Sequence, residues 1–191
     1  MNLYVFDFDG TIYNGDSMID FLKLVHNSKI KYYITNILFT PFWVLKILGL
    51  IKIDRFKSCF LKMHFRYYDQ IYLEFKSNEF SKTFHKKIYP KSLNFLESIE
   101  GEKVIVTASV DIWMRDISKE LKSSLISTKS VFENKRFLKI ERNCNYDEKL
   151  DRIMEKYDLN NFKNIYVFGN SKGDYSMYKL GNFHHKFFQN D

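Results

Sequence analysis

Two aspartates that follow the first apolar run of the chain are the residues best placed to do chemistry. Residues 3–6 are apolar, Asp7 and Asp9 come directly after them, and Gly10 and Thr11 follow at once. This pattern predicts a short buried strand that turns at Gly10. Carboxylates at a buried strand end are costly unless a partner offsets their charge, and a divalent cation is a frequent partner there. The pair therefore favours a catalytic or metal-binding site over a solvated surface turn.

Polar residues follow two later apolar runs in the same way. The runs cover residues 104–106 and 165–168. The residues that follow them are Thr107, Ala108 and Ser109 after the first of these runs, and Asn170 and Asp174 after the second. The carboxyl ends of parallel strands share one edge of a sheet, so we expect these residues to converge with the two aspartates. Lys149 lies between the two runs, on a predicted helix.

In their order and spacing these motifs resemble those of the haloacid dehalogenase-like superfamily, in its phosphoserine phosphatase-like branch with a helical cap. The family's first motif, DxDGT, is similar to residues 7–11. Its second motif is a Ser or Thr after an apolar strand, which Thr107 matches, and its third is a lysine, best matched by Lys149. Its fourth motif, GDxxxD, is matched in part by residues 169–174. Together the motifs extend over nearly the whole chain.

The resemblance implies a Mg²⁺-dependent phosphatase that forms an aspartyl-phosphate intermediate. It implies a nucleophilic and metal-binding role for Asp7, and for Asp9 a role as general acid and base that also offers its backbone carbonyl to the metal. It further implies catalytic roles for Thr107 and Lys149 at the phosphoryl group. The other implied roles are substrate binding by Gly10, Thr11, Ala108 and Ser109, and metal binding by Asn170 and Asp174.

Asn170 departs from the family pattern, which has an acidic residue at this position. An amide oxygen can still bind Mg²⁺, but it brings no negative charge, so we expect a weaker affinity for the metal. The departure keeps one alternative open, namely a non-catalytic membrane- or ligand-binding protein with a weakened metal site. Because Asp174 is retained, we favour the enzyme.

Composition bounds the class of protein and of partner. The chain has 191 residues, 45% of them hydrophobic and 28% charged, which is typical of a folded protein of one domain, or of one domain with a sizeable insertion. The net charge of +7 favours anionic partners such as phosphorylated metabolites or anionic lipid surfaces. We find neither the pattern of an RNA-binding sheet nor a helix-turn-helix signature, so we expect no nucleic-acid partner.

The cysteines and the amino terminus indicate the compartment. Cys59 and Cys144 are far apart and form no CxxC motif, so they suggest neither a zinc site nor a disulfide framework. The chain begins with a motif-bearing strand rather than a basic region followed by a cleavage site. We therefore expect a cytoplasmic protein, with membrane association as a further prospect.

The alternation of apolar runs with helical patterns predicts an α/β fold, with a Rossmann-like parallel sheet core and a helical cap inserted after the first strand. Residues 1–14 and 89–191 would form the core, and residues 15–88 the cap. The predicted strands cover residues 3–8, 104–107, 165–168 and 184–188, with short strands over 124–141 that turn at 133–135. The predicted helices cover residues 16–27, 54–65, 69–87, 90–99, 111–121, 147–157 and 174–180.

Residues 30–51 are the most hydrophobic segment, and their sequence leaves three interpretations open. These are a buried helical hairpin, an interfacial membrane contact, and a membrane span. The uncharged part, residues 32–45, has only 14 residues, which is short for a span. A similar segment occurs in phosphatidylglycerophosphatase C-like proteins, which the chain resembles more weakly. The segment therefore favours a lipid-linked or membrane-proximal phosphate as substrate, with a soluble phosphoserine-like metabolite as the alternative.

Overall fold

A five-stranded parallel sheet forms the centre of the structure, a computed structural model that describes residues 1–189. The strands are β1 (Asn2–Phe6), β2 (Glu102–Val110), β3 (Ser124–Thr128), β4 (Ser130–Glu133), β5 (Arg136–Ile140), β6 (Asn164–Gly169) and β7 (Asn182–His185). The sheet has the order β3-β2-β1-β6-β7, while β4 and β5 pair as a separate antiparallel hairpin. The predicted α/β, Rossmann-like class is confirmed, and β1 lies between the two strands that carry the other motifs.

Helices surround this sheet and occupy the long interval between β1 and β2. The helices are α1 (Ser17–His26), α2 (Lys29–Ile47), α3 (Ile53–His64), α4 (Gln70–Thr83), α5 (Pro90–Ser98), α6 (Asp111–Glu120) and α7 (Asp147–Lys156). Their starts follow local chemistry: the side chains of Asp16, Ser28 and Asp69 accept hydrogen bonds from backbone amides of α1, α2 and α4. Pro90 opens α5, where its missing N–H costs nothing.

The two faces of the sheet bury different side chains because neighbours along a strand point in opposite directions. Leu3 and Val5 of β1 join one apolar cluster with Ile153 of α7. Phe6, between strands β2 and β6, joins the second and larger cluster, in which Leu96 of α5 also packs. Each fully buried side chain of this size stabilises the fold by roughly 1.5–3 kcal/mol. β1 is thus fixed from both faces, which holds the residues that follow it in place.

The helices between β1 and β2 pack on the core through aromatic side chains. Phe21 of α1 stacks on Trp113 of α6 with ring centroids 5.1 Å apart. Phe65, which follows α3, meets Phe137 of β5 edge-on at 5.4 Å. Within residues 15–88 the structure has helices and turns but no strand, as the sequence predicts.

The hydrophobic segment 30–51 is largely a single helix, α2, that continues through Pro41. Of the three interpretations, the buried helical hairpin is wrong, because only Tyr32 and Phe39 of α2 are buried and most of its apolar side chains are exposed. The sequence could not indicate this, since apolar residues occur on every side of the helix. None of the helices within residues 1–189 is long and apolar enough to cross a bilayer.

Three smaller predictions also need correction. The predicted helix 174–180 is replaced by two short 3₁₀ turns, Lys172–Asp174 and Met177–Leu180, and the first is closed by hydrogen bonds from Ser171 to Asp174. The predicted edge strand 184–188 is β7, which ends at His185 because its partner β6 ends at Gly169. The predicted helix 69–87 ends at Thr83 and continues as a 3₁₀ turn.

Candidate active site

The ends of β1 and β6 and the first turn of α7 meet in a buried cluster of three charged side chains. Lys149 Nζ donates to Asp7 Oδ1 and to Asp174 Oδ1, each at 2.7 Å. All three side chains are buried, and Lys149 is among the largest fully buried side chains of the protein. The structure therefore brings one residue each of the first, third and fourth motifs together.

The charges in this cluster are unevenly compensated. Burial acts to lower the pKa of Lys149, but the attraction of Asp7 and Asp174 outweighs it and holds that pKa above its ordinary value. Burial raises the pKa of Asp7 to about 7, with Asp174 adding to the rise and Lys149 opposing it. The pKa of Asp174 also feels burial, but Lys149 and the donors of Ser171 keep it below its ordinary value. Asp7 is thus the carboxylate in this cluster whose negative charge is least offset.

Asp174 holds the loop that follows β6. Its Oδ2 accepts from the backbone N–H of Asn170 at 3.1 Å, and from the N–H and Oγ of Ser171, each at 2.9 Å. With Lys149 on Oδ1, both oxygens of this carboxylate have hydrogen-bond partners. Asp174 therefore fixes the backbone at Asn170 and Ser171, and its predicted role as a direct metal ligand stays a prediction.

Asp9 faces α1 and the end of β2 rather than the lysine. Its Oδ1 accepts from the backbone N–H of Ser17 at 2.6 Å, and its Oδ2 accepts from Ser109 Oγ at 2.5 Å. Ser17 Oγ lies 3.0 Å from Ser109 Oγ and accepts from Trp113 Nε1 at 3.1 Å. Burial raises the pKa of Asp9, with the hydrogen bond from Ser109 opposing the rise. The carboxyl group is thus held in place by a small network, to which Ser17 and Trp113 belong without any sequence motif to mark them.

The second motif lies on the neighbouring strand β2. Thr107 is buried, and its Oγ1 accepts from the backbone N–H of Ser109 at 3.0 Å, so its own hydroxyl hydrogen can still be donated. The carbonyl oxygen of Ala108 accepts from Thr128 Oγ1 at 2.7 Å and from Lys57 Nζ at 2.5 Å. Side chains from two other elements thus hold this turn, and substrate binding by Ala108 and Ser109 stays a prediction.

Gly10 lies where the loop that follows β6 approaches the first motif closely. Its φ is +75°, and a Cβ at this position would lie 2.0 Å from Asn170 Nδ2, so any other residue here would have to displace the Asn170 side chain. The neighbouring Thr11 is buried and places Oγ1 3.5 Å from Asp7 Oδ2, at the outer limit of a hydrogen bond. The first and fourth motifs are therefore in direct contact, and Gly10 makes that contact sterically possible.

The residues around Asp7 fit a magnesium ion. The side-chain oxygen of Asn170 is buried and has no hydrogen-bond partner in the structure, which is costly unless a cation or water binds it. That amide oxygen and the carboxylate of Asp7 are hard oxygen donors, the kind Mg²⁺ prefers. Within residues 1–189 no cluster of three or more His, Cys, Asp or Glu side chains is arranged to hold a metal. A bound ion would therefore depend on Asp7, on the neutral Asn170 and on backbone oxygens.

A cavity of about 310 Å³ lies between the helices α1, α2 and α3 and the loop that precedes α7. Its apolar walls come from Met18, Ile19, Tyr32, Trp43, Ile53, Phe56 and Phe60, and its polar lining from Asp16, Asn36, Lys46, Lys57, Asn143 and Asn145. Lys57 Nζ also donates to Asn143 Oδ1 at 3.0 Å. Burial lowers the pKa of Lys57 to about 8, although Asp9 and Asp16 oppose this shift. The structure thus places a cation from α3 between the cavity and the second motif.

A buried sheet edge that gathers an aspartate pair, a lysine and a third carboxylate is the arrangement of an α/β enzyme. The chain belongs to the haloacid dehalogenase-like hydrolases, whose family model matches residues 4–179. The resemblance seen in the sequence motifs is thereby confirmed, and so is the expectation of an enzyme of this superfamily. A comparison with curated proteins finds no sequence match.

Solved structures show the same fold. A protein of unknown function from Bordetella pertussis Tohama I has a TM-score of 0.77 at 17% identity, over 95% of this chain and 87% of that one. A phosphoserine phosphohydrolase-like protein from Francisella tularensis has a TM-score of 0.62 at 15% identity, over 95% and 83%. A phosphoserine phosphatase with a phospho-aspartyl intermediate analogue has a TM-score of 0.59 at 13% identity, over 94% and 82%. The protein therefore shares its fold with these three proteins.

Proposed function

We propose that the protein is a Mg²⁺-dependent phosphomonoesterase that works through an aspartyl-phosphate on Asp7. The observation that carries this proposal is the environment of Asp7. Its carboxylate is buried at a strand end, with Lys149 on one oxygen and the unpartnered amide oxygen of Asn170 nearby on the contacting loop. A negatively charged nucleophile in this place needs a cation before a phosphate dianion can approach it.

In the first step, an Asp7 oxygen attacks phosphorus, and the bond from phosphorus to the leaving oxygen breaks with its electron pair on that oxygen. Asp9 in its protonated form gives its proton to the leaving oxygen, which is consistent with the raised pKa of this group. Lys149 offsets negative charge on Asp7 and on the phosphoryl group, and Thr107 donates its hydroxyl to a phosphoryl oxygen.

In the second step, water attacks the phosphorus of the aspartyl-phosphate while Asp9 takes a proton from that water. The bond between phosphorus and Asp7 breaks, phosphate leaves, and both aspartates return to their starting state. Asp9 is oriented for both transfers by its two hydrogen bonds from Ser17 and Ser109. A similar fold holds a phospho-aspartyl intermediate analogue in a phosphoserine phosphatase, which supports this route.

Asp7, Asn170 and the backbone carbonyl of Asp9 would hold the magnesium ion, with Asp174 supporting them. The ion, when bound, supplies positive charge that offsets the repulsion between Asp7 and the phosphate and polarises the phosphoryl oxygens. Because Asn170 contributes no charge, a second candidate stays open: a ligand-binding protein of this fold that has lost turnover. The buried, unpartnered oxygen of Asn170 favours a retained site.

We further propose that residues 15–88 act as a cap over a core of residues 1–14 and 89–191, and that the cap selects the substrate. Its cavity has mostly apolar walls and a half-buried cation, Lys57, at the end nearest the second motif. This lining suits a phosphate ester whose leaving group carries an apolar part, such as a lipid-linked or membrane-proximal phosphate. A small soluble phosphoserine-like metabolite is the alternative, since the solved structures of similar fold include a substrate-bound phosphoserine phosphatase.

Hydrolysis of an aryl phosphate tests the proposed activity. We expect turnover that requires Mg²⁺ and that Asp7→Asn abolishes, while Asp151→Asn, the same change on α7, leaves the rate unaltered. Absence of turnover at every Mg²⁺ concentration would favour the ligand-binding protein. A panel of phosphorylated metabolites, lysophospholipid and phosphatidyl phosphates then separates the two substrate classes.

A further inference from the structure

The outer face of α2 is an exposed apolar stripe without a partner in the part of the chain that the structure describes. We define the α2 stripe as residues 30, 34, 37, 38, 41, 44, 45 and 48, which recur at the three- and four-residue spacing of one helix face. Ile30, Ile37 and Leu38 are exposed to 72%, 69% and 61% of their surface. Single exposed apolar residues are ordinary, but a continuous stripe of this length marks a contact surface.

The opposite side of the same helix is already used. Tyr32 and Phe39 of α2 are buried, and Phe39 packs its ring against Phe56 and Phe60 of α3 at centroid distances of 5.2 and 5.1 Å. The α2 stripe lies about 180° away from these contacts around the helix. The α2 stripe is therefore exposed even though the inner side of α2 already packs against α3.

The charged residues that flank the α2 stripe along the sequence have one sign. Between Phe21 and Ile53 the sequence has no Asp or Glu. The same interval contains five lysines, namely Lys23, Lys29, Lys31, Lys46 and Lys52. They lie towards the two ends of the helix, while residues 32–45 carry no charge. Long lysine side chains can extend sideways from such a helix and keep their ammonium groups at a polar boundary.

We propose that the α2 stripe docks on an anionic lipid bilayer, with α2 lying in the plane of the headgroups. An apolar face of about 28 Å, with the exposed Lys29 and Lys31 at one end and the exposed Lys52 just beyond the other, matches an interfacial helix. A second copy of the chain fits less well, because a twofold interface would bring the same lysines together without acidic residues to oppose them.

Docking of α2 on a bilayer also has a consequence for the substrate. This consequence rests on the proposed phosphatase function. The inner side of α2 contributes Tyr32, Asn36, Trp43 and Lys46 to the cavity, so one helix separates the bilayer from that cavity. This separation is about 10 Å, the width of a helix with its side chains. A phosphate ester anchored in the bilayer could therefore place its phosphate at the site while its apolar part stays close to the membrane.

Flotation with vesicles of equal parts phosphatidylcholine and phosphatidylglycerol tests the docking surface. We expect the wild-type protein to float, and Ile34→Glu/Ile37→Glu to bind at least about tenfold more weakly. The matched control is Ile71→Glu/Met154→Glu, which adds the same charge at residues exposed to 60% and 50% on α4 and α7 and should float like the wild type. Equal flotation of the two variants would overturn the proposal.

A second experiment tests how much the lysines contribute to binding of the vesicles. We expect Lys29→Gln/Lys31→Gln to weaken binding about fivefold for each lysine, and Lys156→Gln/Lys163→Gln to have no effect. Vesicles of phosphatidylcholine alone should bind the wild type more weakly. A wild-type protein that stays in the soluble fraction contradicts the proposal. So does a vesicle-free dimer that Ile34→Glu/Ile37→Glu converts to a monomer.

Activity on an aryl phosphate in vesicle-free solution separates this inference from the proposed function. The α2 variants should hydrolyse it like the wild type, because the α2 stripe lines neither the cavity nor the site around Asp7. Vesicle binding without hydrolysis would refute the phosphatase and leave the docking surface standing. Hydrolysis without vesicle binding would refute the docking surface alone.

Discussion

Lys149 Nζ lies 2.7 Å from Asp7 Oδ1, and both side chains are buried at the carboxyl edge of the sheet. The same ammonium group lies 2.7 Å from Asp174, so a single positive charge faces two carboxylates. Burial raises the pKa of Asp7 to about 7 even though Lys149 opposes the rise, so one ammonium group does not fully offset the cost of burying this carboxylate. Lys149 therefore contributes both to the stability of the fold and to the balance of charge in the candidate active site.

Removal of the lysine should destabilise the fold as well as stop catalysis. Lys149→Met leaves Asp7 and Asp174 buried without their cation, a loss that costs roughly 3–5 kcal/mol in comparable buried pairs. We expect this decrease in the free energy of unfolding from urea denaturation, together with loss of aryl phosphate hydrolysis. Lys156→Met, at the exposed end of the same helix, is the control. A variant that unfolds at the wild-type urea concentration would show that the pair is not held as described.

Gly10 and Gly49 offer a matched test of the contact between the first and fourth motifs. Both have a positive φ, +75° and +72°, but a Cβ at Gly10 meets Asn170 at 2.0 Å whereas a Cβ at Gly49 meets nothing within 4 Å. Gly49→Ala should cost only about 1 kcal/mol of backbone strain. We expect Gly10→Ala to displace Asn170 and to lose Mg²⁺-dependent hydrolysis. Equal activity of the two variants would mean that Asn170 need not lie where the structure has it.

Asn170→Asp should strengthen the response to magnesium. The change adds one negative charge at an oxygen that is buried and lacks a partner, so we expect half-maximal activity at about tenfold lower Mg²⁺. Asn145→Asp makes the same change at the cavity wall and should alter this concentration much less. An Asn170→Asp enzyme with the wild-type magnesium dependence would exclude Asn170 as a ligand.

Lys57 should make the free energy of unfolding increase with pH. Its pKa is about 8 in the folded protein and 10.5 ordinarily, so between these values the unfolded chain binds the proton and the folded protein does not. The free energy of unfolding of the wild type, relative to Lys57→Met, should therefore rise with pH by up to about 1.4 kcal/mol per unit. The gain is complete above about pH 10.5 and is lost as the pH falls through about 8. Urea denaturation at pH 7 and pH 10 measures it, and a difference that does not change with pH would show that the amine is not enclosed.

The sequence predicted the convergence at the sheet edge because that prediction needed only strand order and direction. Asp7 and Asp174 follow buried strands, and parallel strands bring such residues to one edge whatever the loops do. Lys149 was identified by its place between the motifs. The hairpin at residues 133–135 was also predictable, since Asn134 and Lys135 adopt the positive φ that its turn requires.

The remaining features depend on packing that no local pattern encodes. Lys57 reaches Ala108 across 51 positions of sequence, and nothing in α3 marks it apart from Lys62, which is exposed. The orientation of Asp9 is set by Ser17 and Ser109, which the fold brings together from α1 and β2. The sequence did not show which side of α2 is exposed, because both sides of that helix are apolar.

In the proposed mechanism Asp7 carries the phosphoryl group during turnover. The most direct measurement is an acid quench during hydrolysis of an aryl phosphate with Mg²⁺, followed by mass spectrometry of the peptide that contains Asp7. We predict a phosphorylated residue at Asp7 in the wild-type protein and none in Asp7→Asn, which should also be inactive. Turnover by Asp7→Asn, or wild-type turnover that never places phosphate on this peptide, would show that Asp7 is not the nucleophile.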